Sequence, residues 1–303
     1  YATPRMGTVL IGDCGEVFLS PHCGAIAKMF GSISNVVTRK SSKWALGLLL
    51  IGLFSTAHAA NRLENISTRG PVGTGDDVMI GGLIIEGTAD KTVVIRARGP
   101  SLAAAGVTGD LLADPFVYLV DQSDGTQLDN NNNWQDHPRA AEIPEAMRPT
   151  EANESVIVAT LAPGAYTAVV QGFDGGTGVG IVEVFELDQT SRLANLSTRG
   201  LVRTGDDVMI GGLIIQGNTD KTVIIRARGP SLAAAGVTGD LLADPFVYLV
   251  DQSDGRQLDN NNNWQDHPRA AEIPAAMLPT EANDSVIVAT LAPGAYTAVV
   301  QGF

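Results

Sequence analysis

The sequence predicts an all-β protein built as tandem β-sandwich or jelly-roll modules, with the second copy truncated. Three observations carry that expectation. An offset of 130 residues lays 61–173 over 191–303 without insertion, with 13 differences over 113 positions and so 100 identities. Self-similarity at a fixed period marks a duplicated structural unit. Within each copy, short runs rich in Val, Ile and Thr alternate with clusters of Gly, Pro, Asn and Asp, the composition of strands and tight turns. Helix is scarce: 103–107 and 138–143 read as single turns, the latter started by Asp136 and stopped by Pro144.

The elements of one copy follow in order. An opening strand is expected over 62–69, then strands at 78–85 and 92–98 separated by a Gly-Thr-Ala-Asp-Lys turn. In the third, Val93, Ile95 and Ala97 share one face and Thr92, Val94, Arg96 and Arg98 the other, because successive strand side chains alternate. Residues 116–121 lead into Ser123, Asp124, Gly125 and Thr126, and Asp-Gly between extended runs is a strong hairpin signal. Strands at 155–161 and 165–171 flank Ala162, Pro163 and Gly164, where Pro and Gly suit the centre of a type II turn. A closing strand falls at 181–187. About eight short strands with regular punctuation are the pattern of a sandwich or jelly roll. The second copy stops at Phe303, the counterpart of Phe173, so it lacks a partner for 181–187 and is expected to leave a strand edge open.

The first 60 residues differ from the rest. Arg39, Lys40 and Lys43 precede an eleven-residue apolar run at 44–54, and Ala57 and Ala59 follow as an A-x-A site. That is the order of a secretory signal peptide, assigned to 29–59 with Met29 as initiator and cleavage after Ala59. Residues 1–28 are then read as upstream read-through, 61–190 as repeat 1 and 191–303 as repeat 2, C-terminally incomplete. Eleven apolar residues fall short of the about 20 needed to span a bilayer, so no stable membrane span is expected after cleavage. Both cysteines, Cys14 and Cys23, precede the cleavage site, so the mature chain would hold no disulfide and no thiolate metal site. It would carry 15 basic and 31 acidic residues, a net charge of −16. Such a balance suits a solvated extracellular surface, and without a basic patch it argues against a nucleic-acid partner.

The second half of each copy carries a distinctive order of features. Residues 114–121 form an extended run opened and closed by aspartates, and the Asp124-Gly125 turn follows. Then come the polar segment 130–134, Glu154-Ser155, and Thr160 through Tyr166 across the Pro-Gly turn. This order resembles the bacterial pre-peptidase C-terminal modules, a jelly-roll family appended to secreted enzymes, over roughly 111–187 and its copy. The first half lacks that family's opening. The whole unit is similar to repeat modules of large secreted bacterial proteins. The resemblance implies an extracellular location and a non-catalytic role, and it supplies no ligand.

Several constellations invite a site. Asp121, Asp124, Asp129 and Asn131, with Asp251, Asp254, Asp259 and Asn261 in the second copy, crowd oxygen ligands suited to calcium. Their spacing departs from the D-x-[DN]-x-[DN]-G loop, and Asp and Asn also make turns by bonding their own backbone. Trp134 and Trp264 sit beside the asparagine run, where a tryptophan either stacks on a sugar ring or plugs the core. Arg96 and Arg98 are expected to form structural ion pairs with Asp76, Asp77 or Asp110. His137 reads as a turn cap, and Ser101 lacks the G-x-S-x-G context of a nucleophile. No catalytic constellation stands out. The expectation is a non-catalytic secreted tandem-repeat protein, structural or adhesive at the cell surface, in the matrix or in the periplasm. The alternative is an accessory carbohydrate-binding module of a larger secreted hydrolase. An extracellular polysaccharide or self-association is the expected partnership, with no cofactor beyond the calcium alternative.

Overall fold

The computed structural model describes residues 5–13, 62–188, 191–205 and 208–303. The signal segment at 29–59 and both cysteines lie outside the described residues. The first strand is β1 (Arg5–Asp13). Copy one contributes β2 (Arg62–Val72), β3 (Met79–Glu86), β4 (Lys91–Arg98), β5 (Pro115–Asp121), β6 (Gln127–Asn131), β7 (Ser155–Leu161), β8 (Gly164–Gly172) and β9 (Gly178–Glu186). Copy two contributes β10 (Arg192–Val202), β11 (Met209–Gln216), β12 (Lys221–Arg228), β13 (Pro245–Asp251), β14 (Gln257–Asn261), β15 (Ser285–Leu291) and β16 (Gly294–Gly302). Among the described residues no helix is long and apolar enough to cross a membrane.

The strands form two antiparallel eight-stranded sheets that run through both copies. One has the order β15-β12-β1-β10-β3-β8-β5-β6 and the other β14-β13-β16-β11-β2-β9-β4-β7. Copy one therefore splits four and four, β2, β9, β4 and β7 in one sheet against β3, β8, β5 and β6 in the other, and copy two splits three and four, β10, β12 and β15 with β1 against β11, β16, β13 and β14. The copies join edge to edge, β10 pairing with β3 and β2 with β11. Exchanging the copies turns one sheet order into the other, so the molecule has an internal pseudo-two-fold axis. Thr68 and its counterpart Thr198 meet on it, hydroxyl to hydroxyl at 2.7 Å, both buried.

The alternation expected of β4 decides where its side chains go. Val93, Ile95 and Ala97 enter the main core together with Val182 and Val184 of β9, Met79 and Leu83 of β3, and Val117 and Leu119 of β5. That core is continuous between copies, because Met209, Val223, Ile225, Val247 and Val300 belong to the same cluster. The opposite face of β4 supplies Val94 to a smaller cluster with Ile143, Val156 and Val158, roofed by Trp134 and Met147 from the turns after β6. Those turns are three short 3-10 segments per copy, in place of the single turn read at 138–143. A buried lysine pins the link between copies. Lys91 Nζ donates to the carbonyls of Asp188 (2.9 Å) and Ser191 (2.6 Å) and lies 3.4 Å from Glu186 Oε1, which also accepts the Leu193 amide.

Two expectations are corrected. The second copy's edge is not open: β1 lies between β10 and β12, the place β9 holds between β2 and β4. Residues set apart as upstream sequence thus complete a sheet, because a strand there satisfies two rows of main-chain groups and covers the core with Val9 and Ile11. The Pro163-Gly164 connection is also not a type II turn. Gly164 does not take the positive φ that such a turn requires at its second central position. Instead Tyr166 closes the corner, its hydroxyl donating to the Ala162 carbonyl at 2.8 Å.

Candidate binding surface

The proposed oxygen ligands separate into three environments. Asp121 and Asp124 close the β5–β6 hairpin tip, where their Oδ1 atoms accept the amides of Ser123 and Thr126, each at 2.8 Å, and Gly125 takes a φ of +78°. The Thr126 amide holds the Asp124 carboxyl below its ordinary range, and the Ser253 hydroxyl does the same for Asp251. Asp254 repeats the Asp124 turn by accepting the Arg256 amide at 2.9 Å.

Asp129 faces a histidine. Its Oδ1 accepts the Asn130 amide and its Oδ2 meets His137 Nε2 at 3.1 Å, while His137 Nδ1 accepts the Arg139 amide at 3.2 Å. The ring is buried and caps the turn, with Nε2 bearing the proton. Asp259 and His267 repeat the pair at 3.2 Å. Asn131 is buried between the sheets, its Oδ1 accepting the Val156 amide of β7 and its Nδ2 donating to the Asn133 carbonyl, both at 2.9 Å. Asn261 does the same for Val286 at 3.0 Å. These asparagines bolt the two sheets together at the end of the sandwich. Among the described residues, no three His, Cys, Asp or Glu side chains converge as a metal-holding group.

Trp134 and Trp264 pack on the small outer clusters and are half-buried. Trp264 Nε1 donates to the Glu281 carbonyl at 3.1 Å, the arrangement expected of a plug, while Trp134 Nε1 is buried without such a partner.

The structure adds a surface that sequence reasoning missed. Each copy packs its own 3-10 turns on the outer face of β4 and β7, or β12 and β15. On the outer face of the other half-sheet Phe116 and Tyr118 are half-buried beside the buried Val169, while Val117 and Leu119 point into the core. Phe173 joins them, with ring centroids 6.3 Å apart for Phe116–Tyr118 and 6.2 Å for Phe116–Phe173. The ladder sets Asn130 beside Tyr118 on one side and Val169 on the other, and Gln171 beside Phe116. Partial burial pushes the Tyr118 phenol up. Phe246, Tyr248 and Phe303 rebuild the patch on the other sheet, at 6.2 and 5.9 Å, with Phe303 80% exposed. The signal was the run Phe116-Val117-Tyr118-Leu119-Val120. It is apolar at both parities, so one face had to remain outside a two-layer core.

No family model matches the chain, and no curated protein matches it.

The expected arginine ion pairs exist with other partners. Arg96 lies directly across the ladder from Glu183 on β9, and its carboxylate partner is Glu183 in place of Asp76, Asp77 or Asp110. Its guanidinium binds Glu183 Oε2 at 2.7 and 2.9 Å, donates to the Met147 carbonyl, and lies 4.7 Å from the Phe185 ring centroid. Arg98 reaches Glu183 Oε2 at 3.4 Å and Glu154 Oε2 at 3.6 Å, and Glu154 Oε1 accepts the amides of Gly99 and Ser101. Cross-strand neighbours outrank residues near in sequence, because the ladder fixes their side chains on one face. In the second copy Asp284 replaces Glu154, accepts the Gly229 amide at 3.0 Å and lies 3.8 Å from Arg228 Nε. Burial pushes the Asp284 carboxyl up and the Arg228 guanidinium down. These carboxylates are engaged in holding strands and turns.

Proposed function

We propose that this is a non-catalytic secreted tandem-repeat protein, structural or adhesive at the cell surface or in the matrix, that binds a repetitive extracellular polysaccharide. The observation that carries this reading is the aromatic patch presented twice by the pseudo-two-fold axis, on opposite sheets and in opposite halves of the body. Aromatic rings offer sugar faces a flat apolar contact, and the amides of Asn130 and Gln171 beside them suit hydroxyl groups. In the two facing sheets β5 and β13 stand at the seventh and second places, five ladder spacings apart, roughly 24 Å at about 4.8 Å each, on opposite sheets. Two weak sites at such a separation gain effective concentration on a long repeating chain and none on a short one. Secretion rests on the basic, apolar and A-x-A segments at 39–59.

The experiment is a glycan array and polysaccharide pull-down with the full chain, Tyr118→Ala, Tyr248→Ala and the double variant, with light scattering for assembly state. The expected result is polysaccharide binding that each single substitution weakens by about tenfold or more and the double abolishes. Binding unchanged in the double variant, or no binding to any glycan, overturns the reading. Concentration-dependent self-association that both substitutions remove would reassign the same patch to contacts between copies.

A further inference from the structure

The groove between β10 and β12 is filled by a strand whose sequence is almost unrelated to the strand in the equivalent groove of copy one. Register makes the correspondence explicit. Arg5 pairs with Val202 as Gly178 pairs with Val72, and Thr8 pairs with Arg228 as Ile181 pairs with Arg98. Over the nine positions of β1 and β9 only Gly7/Gly180 and Val9/Val182 are identical. What the two strands share is therefore what the groove reads.

It reads three things. Main-chain hooks hold the strand's start: the Met6 amide donates to Asp240 O at 2.7 Å and Met6 O accepts the Leu242 amide at 2.6 Å, as Val179 does with Asp110 at 2.7 Å and Leu112 at 2.9 Å. A glycine follows in both strands, at a close approach. A Cβ at Gly7 would meet Val202 Cγ2 at 2.7 Å, and one at Gly180 would meet Leu112, Arg98 and Val72 at 3.2–3.3 Å. Branched apolar side chains then enter the core at alternate positions, Val9 and Ile11 or Val182 and Val184. The outward positions differ freely: Leu10 stands where β9 has Glu183, and Gly12 where β9 has Phe185.

We propose that the groove between β10 and β12 is an exchangeable strand-acceptor site. It takes in trans an extended segment of the pattern glycine, any residue, Val or Ile, any residue, Val or Ile, in the register of β9. The grip is mainly main-chain hydrogen bonding, the mode by which sheets accept an added strand. β1 is suited to exchange because its sheet neighbours begin at residue 192, far along the chain from residue 13. Cleavage after Ala59, as the sequence suggests, would detach it altogether, though the proposal does not depend on that cleavage.

The test uses the full chain and a labelled peptide of residues 178–187. Gly7→Val loosens β1 in its groove and is expected to lower the melting temperature. The peptide should then bind that variant one to one by fluorescence anisotropy and restore the lost melting temperature. A peptide with valine at the Gly180 position should bind about tenfold or more weakly, because a Cβ there requires Val202 to shift. In case Gly7→Val does not fold, the parent chain is refolded from urea with about tenfold excess peptide, and co-elution on gel filtration is the readout. Co-elution of the Gly180 peptide but not its valine form supports the site. No binding in either format overturns the proposal, as does equal binding of the valine peptide or a Gly7→Val variant that melts with the parent.

Discussion

Glu183→Leu tests whether the buried ion pair on β9 and β4 holds the first copy together. The side chains of Arg96 and Glu183 are each 9% exposed, with contacts at 2.7 and 2.9 Å, and Arg98 adds a third at 3.4 Å. Removing one member of a buried pair leaves a desolvated charge and costs about 3–5 kcal/mol. Arg96 keeps its bond to the Met147 carbonyl and its place over Phe185, so the low end applies, about 3 kcal/mol. For a cooperative unit of this size that amounts to a melting-temperature loss of roughly 6–12 °C. The assay is urea denaturation followed by tryptophan fluorescence and far-ultraviolet circular dichroism, whose coincident transitions establish that one stability is being measured. Glu183→Leu with Arg96→Leu should recover much of the loss, since replacing both partners with apolar groups removes the stranded charge. The double-mutant cycle should give a coupling of about 2 kcal/mol or more. A single-variant loss below about 1 kcal/mol would mean that the pair is screened as if at the surface, and would refute the reasoning.

Three further outcomes follow from other contacts. Thr68→Val or Thr198→Val alone should cost about 1–2 kcal/mol by stranding the partner hydroxyl on the pseudo-two-fold axis, whereas the double Val variant should be nearly neutral; additive losses in urea melts would show the two hydroxyls to be independent. Because burial raises the Asp284 carboxyl, its favourable contribution is full below the ordinary aspartate value of about 4 and is lost as pH rises through the folded-state value. Asp284→Asn should therefore melt progressively better relative to the parent as pH rises from about 4 to 7, and a pH-independent difference would contradict the assignment. Since Asp121, Asp124 and Asn131 are committed to hairpin and inter-sheet bonds, millimolar calcium should leave the melting temperature where a chelator leaves it. A rise of several degrees would instead establish calcium binding to the folded chain.

The strands were legible because each is a local pattern. The alternation of Val93, Ile95 and Ala97 against Val94 and Arg96 already specified the inner and outer faces of β4, and Asp124-Gly125 specified a hairpin. Pairing between copies was hidden, because β2 and β3 carry no signal of which edge they will meet. Arg96 and Arg98 were assigned the wrong carboxylates for the same reason: Glu183 is adjacent only once β9 lies beside β4. The aromatic patch stayed hidden because an outward Phe116 and an inward Val117 look alike until the second layer is placed. β1 was the least visible, since its groove asks only for main-chain groups, one glycine and two branched residues.

The duplication itself explains how two near-identical copies come to share both sheets. Copy one splits four strands against four, with β2 and β3 as the lateral edges of its two half-sheets. An exposed pair of long edges invites pairing with another chain unless something covers it. A second copy of the same unit, turned about a two-fold axis, offers the complementary edges: β3 receives β10 and β2 receives β11. Such an interface must be self-complementary, because each residue near the axis meets its own counterpart. Thr68 satisfies that condition, as a hydroxyl both donates and accepts, whereas a carboxylate or an ammonium there would face its like. The junction is therefore the interface of a symmetric dimer written into one chain, and it is this symmetry that places one aromatic patch on each sheet.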